Sequence, residues 1–322
     1  MQLNDIRAIV AADLAAVDAE IRRQLASDVL LVARVGEYIV AGGGKRLRPL
    51  LVVLAARAAG ATGTAQVTAA AFIEFIHTAT LLHDDVVDES ARRRGRQTAN
   101  EAFGNPASVL VGDFLYSRAF QMMASLDSAA VIRVMADATN TIAAGEVMQL
   151  MSSGDPDTTE VRYMEVIYRK TARLFEAGAQ VAAIVARAPA PVEAALTRYG
   201  KHLGIAFQLV DDALDYRGDA EELGKNIGDD LAEGKPTLPL IHAIRHAGEP
   251  EAAMIRRAIE QGGTEEQGSI RAVIQSTGGL DYTAKLAGCE VEKALACLSD
   301  VPASPYRDAL AALARFAATR EA

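Results

Sequence analysis

Six aspartates in two short runs are the residues of this chain best suited to chemistry: Asp84-Asp85-Val86-Val87-Asp88 and Asp211-Asp212-Ala213-Leu214-Asp215. Each run falls in a long apolar, proline-free stretch that reads as helix interior. A helix advances about 100° and 1.5 Å per residue, so the first and last Asp of a pentad lie about 40° and 6 Å apart on one face, with the middle one beside them. Clustered like charges repel one another and resist desolvation, so such a face needs cations. Mg²⁺ suits it best, because it takes oxygen ligands, keeps waters and shares its coordination with substrate phosphates. Two facing pentads would make a metal cage for something phosphorylated.

Cationic residues accompany both runs. In Gly42-Gly43-Gly44-Lys45-Arg46-Leu47-Arg48-Pro49, flexible backbone precedes three cations in four residues. This reads equally as a solvated turn or as a phosphate site, since glycine admits an anion close to the backbone and Lys and Arg pair with its oxygens. The spacing before Lys45 is not that of a Walker loop. His77 precedes Asp84 by seven residues, two helical turns along the same face, so it can point into the same cavity as the metal. His83 reads as an ordinary satisfied histidine, and Phe72 and Phe75 read as core. Arg92-Arg93-Arg94-Gly95-Arg96 starts four residues after Asp88. It is a solvated charged face by default, and beside a metal-binding face it becomes the guanidinium half of a diphosphate clamp. Lys170-Thr171 interrupts an apolar helix, where a lysine must either reach water or face an anion. Gln208 lies three residues before Asp211, and Lys225 and Lys235 follow on a glycine-bearing loop. Thr237 is placed to cap the next helix, with Pro239 in its first turn.

The elements that must position these residues read as helices throughout. Apolar residues recur at three- and four-residue spacing from Leu3 to about Tyr38, Leu47 to Ala59 and Gln66 through the first pentad. The pattern resumes over Ala107 to Leu126, Ala129 to Ser152, Thr159 to Ala186 and Pro191 to Tyr216, and again after Leu238. Asp157-Thr158-Thr159-Glu160 supplies a capping start. Strand-like alternation is not convincing anywhere, and the expected fold is all-α. Irregular chain is confined to Ala41–Pro49, Arg92–Asn105 and Gly218–Pro239, and no linker divides the sequence. Residues 1–322 therefore read as a single domain.

Composition narrows the function. The net charge is −9, of which the pentads supply −6 and everything else −3. The acidity is local, and the chain lacks the broad basic face that nucleic acid requires. The only cysteines, Cys289 and Cys297, read as buried reduced thiols. The first twenty residues do not resemble a signal peptide, and no stretch reaches roughly 18 uncharged apolar residues, so a cytoplasmic protein is expected.

Taken in order along the chain, these motifs resemble those of the all-trans polyprenyl diphosphate synthases of the isoprenoid synthase family, and the match runs over nearly the whole length. The family's first aspartate motif, followed after four residues by Arg-Arg-Gly, matches Asp84, Asp85, Asp88, Arg93, Arg94 and Gly95. Its second, preceded by Phe-Gln, matches Phe207, Gln208, Asp211, Asp212 and Asp215. Gly44 to Pro49 and the pair Lys170-Thr171 match further family motifs.

The resemblance implies a bundle of long helices around a central cavity and a homodimeric enzyme that condenses isopentenyl diphosphate with an allylic diphosphate such as farnesyl diphosphate. It assigns the isopentenyl diphosphate to Lys45, Arg48, His77 and Arg94. It assigns Mg²⁺ to Asp84, Asp88 and Asp211, supported by Asp85, Asp212 and Asp215; we include Asp212 and Asp215 among the candidate ligands. The allylic diphosphate falls to Arg93, Lys170 and Lys225, with Thr171, Gln208 and Lys235 nearby. Roughly three Mg²⁺ per site would cancel six carboxylate charges. Small residues four and five positions before the first Asp, Thr80 and Ala79, leave the product tunnel open toward Met122, Met123 and Met135. Those methionines read either as an adaptable floor or as ordinary core. The expected product is long, about octaprenyl, serves as a precursor of quinone side chains, and leaves toward a membrane or detergent.

Three rival readings remain. A farnesyl or geranylgeranyl synthase is opposed by the small Ala79 and Thr80, and a non-catalytic partner subunit by two complete pentads. A terpene cyclase is opposed by the second pentad and by the absence of Trp.

Overall fold

The computed structural model describes residues 1–93, 95–217, 228–262 and 266–319. Its helices are α1 (Leu3–Ile9), α2 (Ala11–Leu25), α3 (Leu30–Ala41), α4 (Leu47–Ala58), α5 (Ala65–Val87), α6 (Ala99–Phe103), α7 (Asn105–Ala124) and α8 (Ala129–Ser152). They continue with α9 (Glu160–Ile167), a π-helical turn (Tyr168–Ala172), α10 (Arg173–Val185), α11 (Ala190–Arg217) and α12 (Asp229–Ala232). The series ends with α13 (Leu238–His246), α14 (Glu249–Gln261), α15 (Gln267–Ser276), α16 (Gly279–Cys297) and α17 (Pro305–Thr319), with a 3₁₀ turn at Leu298–Asp300. The fold is all-α, as the periodicity requires.

Four local features differ from the sequence expectation. The segment from Leu3 to Tyr38 is three helices, not one. Ser27 Oγ accepts the Val29 N–H at 3.1 Å, a local bond that competes with helix continuation. The region after Asp88 holds an antiparallel ribbon, β1 (Arg92–Arg93) with β2 (Arg96–Gln97), paired Arg92 to Gln97 and Arg93 to Arg96. Gly95 in its turn has φ +74°, a conformation glycine adopts without strain. Thr159 caps α9 as expected, its Oγ1 accepting the Arg162 N–H at 3.2 Å. Thr237, by contrast, holds the N-cap position of α13 without a side-chain cap bond; its hydroxyl lies 3.2 Å from the Tyr216 hydroxyl instead. Both cysteines are free, but Cys289 is exposed, contrary to the buried pair expected.

The pentads also sit differently from expectation. Neither occupies a helix interior. Asp88 is the C-cap of α5, and the second pentad fills the last turns of α11. Helix C-termini carry the negative end of the dipole, so placing carboxylates there adds to the electrostatic cost that cations offset.

The helices gather into two compact units. The first comprises Met1–Thr139, Leu174–Gly200 and Cys297–Leu313. In it α5 packs on α2, α4 and α7, around fully buried Leu50, Leu51, Leu54, Phe72, Ile73, Ile76, Leu115, Phe175 and Tyr199. The Tyr199 hydroxyl donates to the Leu310 carbonyl at 2.7 Å, which satisfies its one polar atom in the core. By length and composition α5 is apolar enough to cross a membrane, yet 61% of its most apolar window is buried in the protein.

The second unit comprises Asn140–Arg173, Lys201–Ala296 and Ala314–Ala322. One of its clusters joins Tyr163, Ile167, Ala172, Ile205, Leu209, Val210, Leu238 and Ile241. Another joins Tyr216, Leu231, Leu240, Ile255, Ile259, Ile270 and Ile274. Periodic apolar faces thus supply each unit with its own core.

Candidate active site

Within the first unit, α5 carries His77 and the first pentad. Asp85 is buried at 5% exposure, whereas Asp84 and Asp88 are partly exposed. Arg93 on β1 donates to Asp85 Oδ1 through Nε at 2.9 Å and Nη2 at 2.7 Å. Burial pushes the Asp85 carboxyl above its ordinary range; Arg93 opposes that shift and the neighbouring Asp84 and Asp88 add to it. The ribbon therefore has a structural reason: it returns the chain so that a guanidinium meets this carboxylate. Asn100, which sequence reasoning missed, donates from Nδ2 to the Asp85 carbonyl at 3.1 Å and so ties the end of α5 to α6.

Arg48, in the first turn of α4, donates from Nη1 toward His77 Nε2 at 2.9 Å and lies 4.6 Å over the Phe175 ring. Guanidinium has no acceptor, so Nε2 is the accepting atom of this contact. Lys45 is exposed in the turn before α4, where Gly43 and Gly44 have φ +65° and +145° and Arg46 is left-handed at +43°. Arg46 lies 3.3 Å from Asp18 and 3.7 Å from Glu74. Arg94 lies outside the described residues. A cavity of about 120 Å³ in this unit is lined by polar and charged residues that include Arg46, His77, Asp85, Arg93 and Arg96 and by apolar ones that include Ile21, Leu25, Phe75, Leu82 and Leu115. Ala79, Thr80, Met122, Met123 and Met135 do not line it. Ala79 and the three methionines are fully or almost fully buried, and the Thr80 hydroxyl donates to the His77 carbonyl at 2.9 Å. His83 is satisfied by the Val109 carbonyl at 3.2 Å, as expected for an ordinary histidine.

The second unit repeats the arrangement with different donors. Asp212 is buried at 4% exposure, Asp211 is exposed and Asp215 is partly exposed. The Tyr163 hydroxyl donates to Asp212 Oδ2, and Gln208 Nε2 donates to Oδ1 at 2.7 Å. Both Asp212 oxygens thus already accept protein hydrogen bonds, which orient the carboxylate while each oxygen keeps a further lone pair. Burial, reinforced by Asp230, drives its pKa well above the ordinary value despite those donors. Thr171 Oγ1 donates to Gln208 Oε1 at 2.8 Å, so one chain of hydrogen bonds runs from the Lys-Thr pair to the second pentad. Lys170 Nζ lies 2.5 Å from Glu146 Oε2 and 2.5 Å from Gln149 Oε1. Lys235 pairs with Glu233, and Lys225 lies outside the described residues.

In each pentad the second Asp is buried and held by protein donors while the first and fifth are more accessible. The donor set fits Mg²⁺: carboxylate oxygens at the negative ends of two helices are hard ligands in need of a cation. Among the described residues, no three His, Cys, Asp or Glu side chains are gathered tightly enough to cage an ion. That matches an ion held by one or two carboxylates and completed by substrate phosphate and water.

An all-α fold with two aspartate motifs, one backed by a guanidinium on its second Asp and the other by a buried tyrosine hydroxyl and a glutamine amide, defines a metal-dependent diphosphate enzyme of the isoprenoid synthase type. The sequence model of the polyprenyl synthetase family matches residues 30–277, and the chain belongs to that family. It is 57% identical to octaprenyl diphosphate synthase of Escherichia coli over the full length of both chains. It is 49% identical to all-trans-nonaprenyl-diphosphate synthase (geranyl-diphosphate specific) of Rhodobacter capsulatus, covering 98% of this chain and 97% of that one. Among solved structures it is similar to a polyprenyl synthase from Caulobacter crescentus complexed with calcium and isoprenyl diphosphate, with TM-score 0.96, 46% identity and coverage of 100% and 98%. The chain is a trans-prenyltransferase that makes long-chain polyprenyl diphosphate.

Proposed function

We propose that residues 1–322 act as one polyprenyl synthase domain that extends farnesyl diphosphate with isopentenyl diphosphate to about octaprenyl diphosphate. The enzyme is read as a cytoplasmic homodimer whose product serves quinone side chains and passes to a membrane. The observation that supports this reading best is the shared layout of the pentads, with a buried second Asp locked by Arg93 in one and by Tyr163 and Gln208 in the other.

Asp84, Asp88, Asp211, Asp212 and Asp215 would hold about three Mg²⁺, with Asp85 fixing the outer carboxylates of its pentad in place. When bound, the metal neutralises the diphosphate leaving group as the allylic C–O bond ionises. Arg93, Lys170 and Lys225 bind that same diphosphate and disperse its charge, with Thr171, Gln208 and Lys235 beside them. Lys45, Arg48, His77 and Arg94 orient the diphosphate of isopentenyl diphosphate. Its double bond then attacks the allylic carbocation, and the released diphosphate takes the proton that is lost. No side-chain general base is needed. Ala79 and Thr80 leave room for the growing chain, with Met123 and Met135 as its adaptable limit.

Incubation with isopentenyl and farnesyl diphosphates and Mg²⁺, followed by mass analysis, should give an octaprenyl-length product. Excess chelator should abolish it and added Mg²⁺ restore it. Transfer that persists in chelator would overturn the metal assignment, and the absence of any product would favour a non-catalytic subunit.

A further inference from the structure

Lys170 lies in the one part of the second unit where helix geometry departs from α among the described residues. The Arg173 N–H donates to the Tyr168 carbonyl five residues back, the mark of a π-helical turn. Such turns are frequent at functional sites because they redirect side chains that a regular helix would aim elsewhere. Here consecutive residues are held by two different helices: Thr171 by Gln208 of α11, and Lys170 by Glu146 and Gln149 of α8. Glu146 and Gln149 are three residues apart and so share a face of α8. Gly145 lets α8 come this close, since a Cβ there would meet the Lys170 backbone nitrogen at 2.7 Å.

We propose that Glu146 and Gln149 are positioning residues that aim the Lys170 ammonium at the allylic diphosphate before it binds. The inference rests on the reading of Lys170 as a diphosphate ligand. Two acceptors at 2.5 Å from different side chains of one helix face fix the position of the Lys170 ammonium. Its long stem is flexible, so a side chain fixed in advance loses less freedom when substrate arrives. The Glu146 charge matters less to this role than its oxygen, because an amide oxygen at the same place also accepts.

Steady-state kinetics with each substrate varied in turn test this on the full-length enzyme. Glu146→Ala should raise KM for the allylic diphosphate on the order of tenfold while KM for isopentenyl diphosphate stays within about twofold. Glu146→Gln should recover most of the loss, and Gln149→Ala should show a smaller effect of the same kind. In a Lys170→Ala background neither α8 substitution should add a further loss, because residues acting through one group are not additive. If Lys170→Ala raises the allylic KM and Glu146→Ala and Gln149→Ala do not, the positioning role is overturned and the reading of Lys170 stands. An allylic KM unchanged by Lys170→Ala overturns both. An effect of Gln149→Ala or Glu146→Ala that persists in the Lys170→Ala background marks a merely structural contact and also overturns the proposal.

Discussion

Asp85 and Asp212 show how much one residue's direction decides. Neighbours on a helix point about 100° apart, so the second Asp of a pentad leaves the face shared by the first and fifth. The structure turns both second positions inward, to Arg93 in one unit and to Tyr163 and Gln208 in the other. Gln208 was legible because it precedes its pentad by one helical turn. Tyr163 was not, because it lies 49 residues from Asp212 and nothing local marks the pairing. Tyr163→Phe tests its weight: it removes one hydrogen bond to a buried carboxylate, which costs about 1–3 kcal/mol. Urea unfolding of the metal-free protein should show that loss, and the Mg²⁺ requirement for activity should rise. A variant matching the parent in both would show that Gln208 alone suffices.

At the level of elements, the long periodic helices were readable and their interruptions were not. The bounds of α4, α8 and α11 lie within two residues of expectation, since each presents a continuous apolar face. The break after α2, the ribbon after α5 and the π-turn before α10 depend on single hydrogen bonds or on partners distant in sequence, which apolar spacing does not encode. One such distant tie fastens α2 to α4. Arg57 donates to Asp13 through Nε at 2.9 Å and Nη2 at 2.6 Å, and Gln66 adds a bond at 3.1 Å. Burial alone would raise the Asp13 pKa, but these donors outweigh it and hold the carboxyl below its ordinary 3.8. A depressed carboxylate pKa contributes stability that is fully present above the unfolded-state value and is lost as pH falls through the folded one. Asp13→Asn should therefore cost about 2 kcal/mol near neutral pH, and its deficit relative to the parent should shrink as pH falls below about 3.8. A deficit that is independent of pH would assign the tie to packing rather than charge.

For the whole molecule, the property left to explain is when chain growth stops. Each added five-carbon unit that is buried gains on the order of 3–4 kcal/mol at about 0.8 per carbon, so elongation is favourable until space runs out. Ala79 is completely buried on α5, and Met123 and Met135 are equally buried. Two explanations of that burial separate cleanly in one variant. If Ala79 borders the path of the growing chain, Ala79→Tyr fills space that the product would occupy, and the mass distribution should move to shorter products with little loss of stability. If Ala79 is plain core, the same ring has no path to enter and overpacks the helices, at about 1–3 kcal/mol. Stability would then fall and product length would stay as in the parent. Measuring the product distribution and the urea midpoint on the same preparation decides between them, and an unchanged distribution with lowered stability would remove Ala79 from the set of chain-length residues.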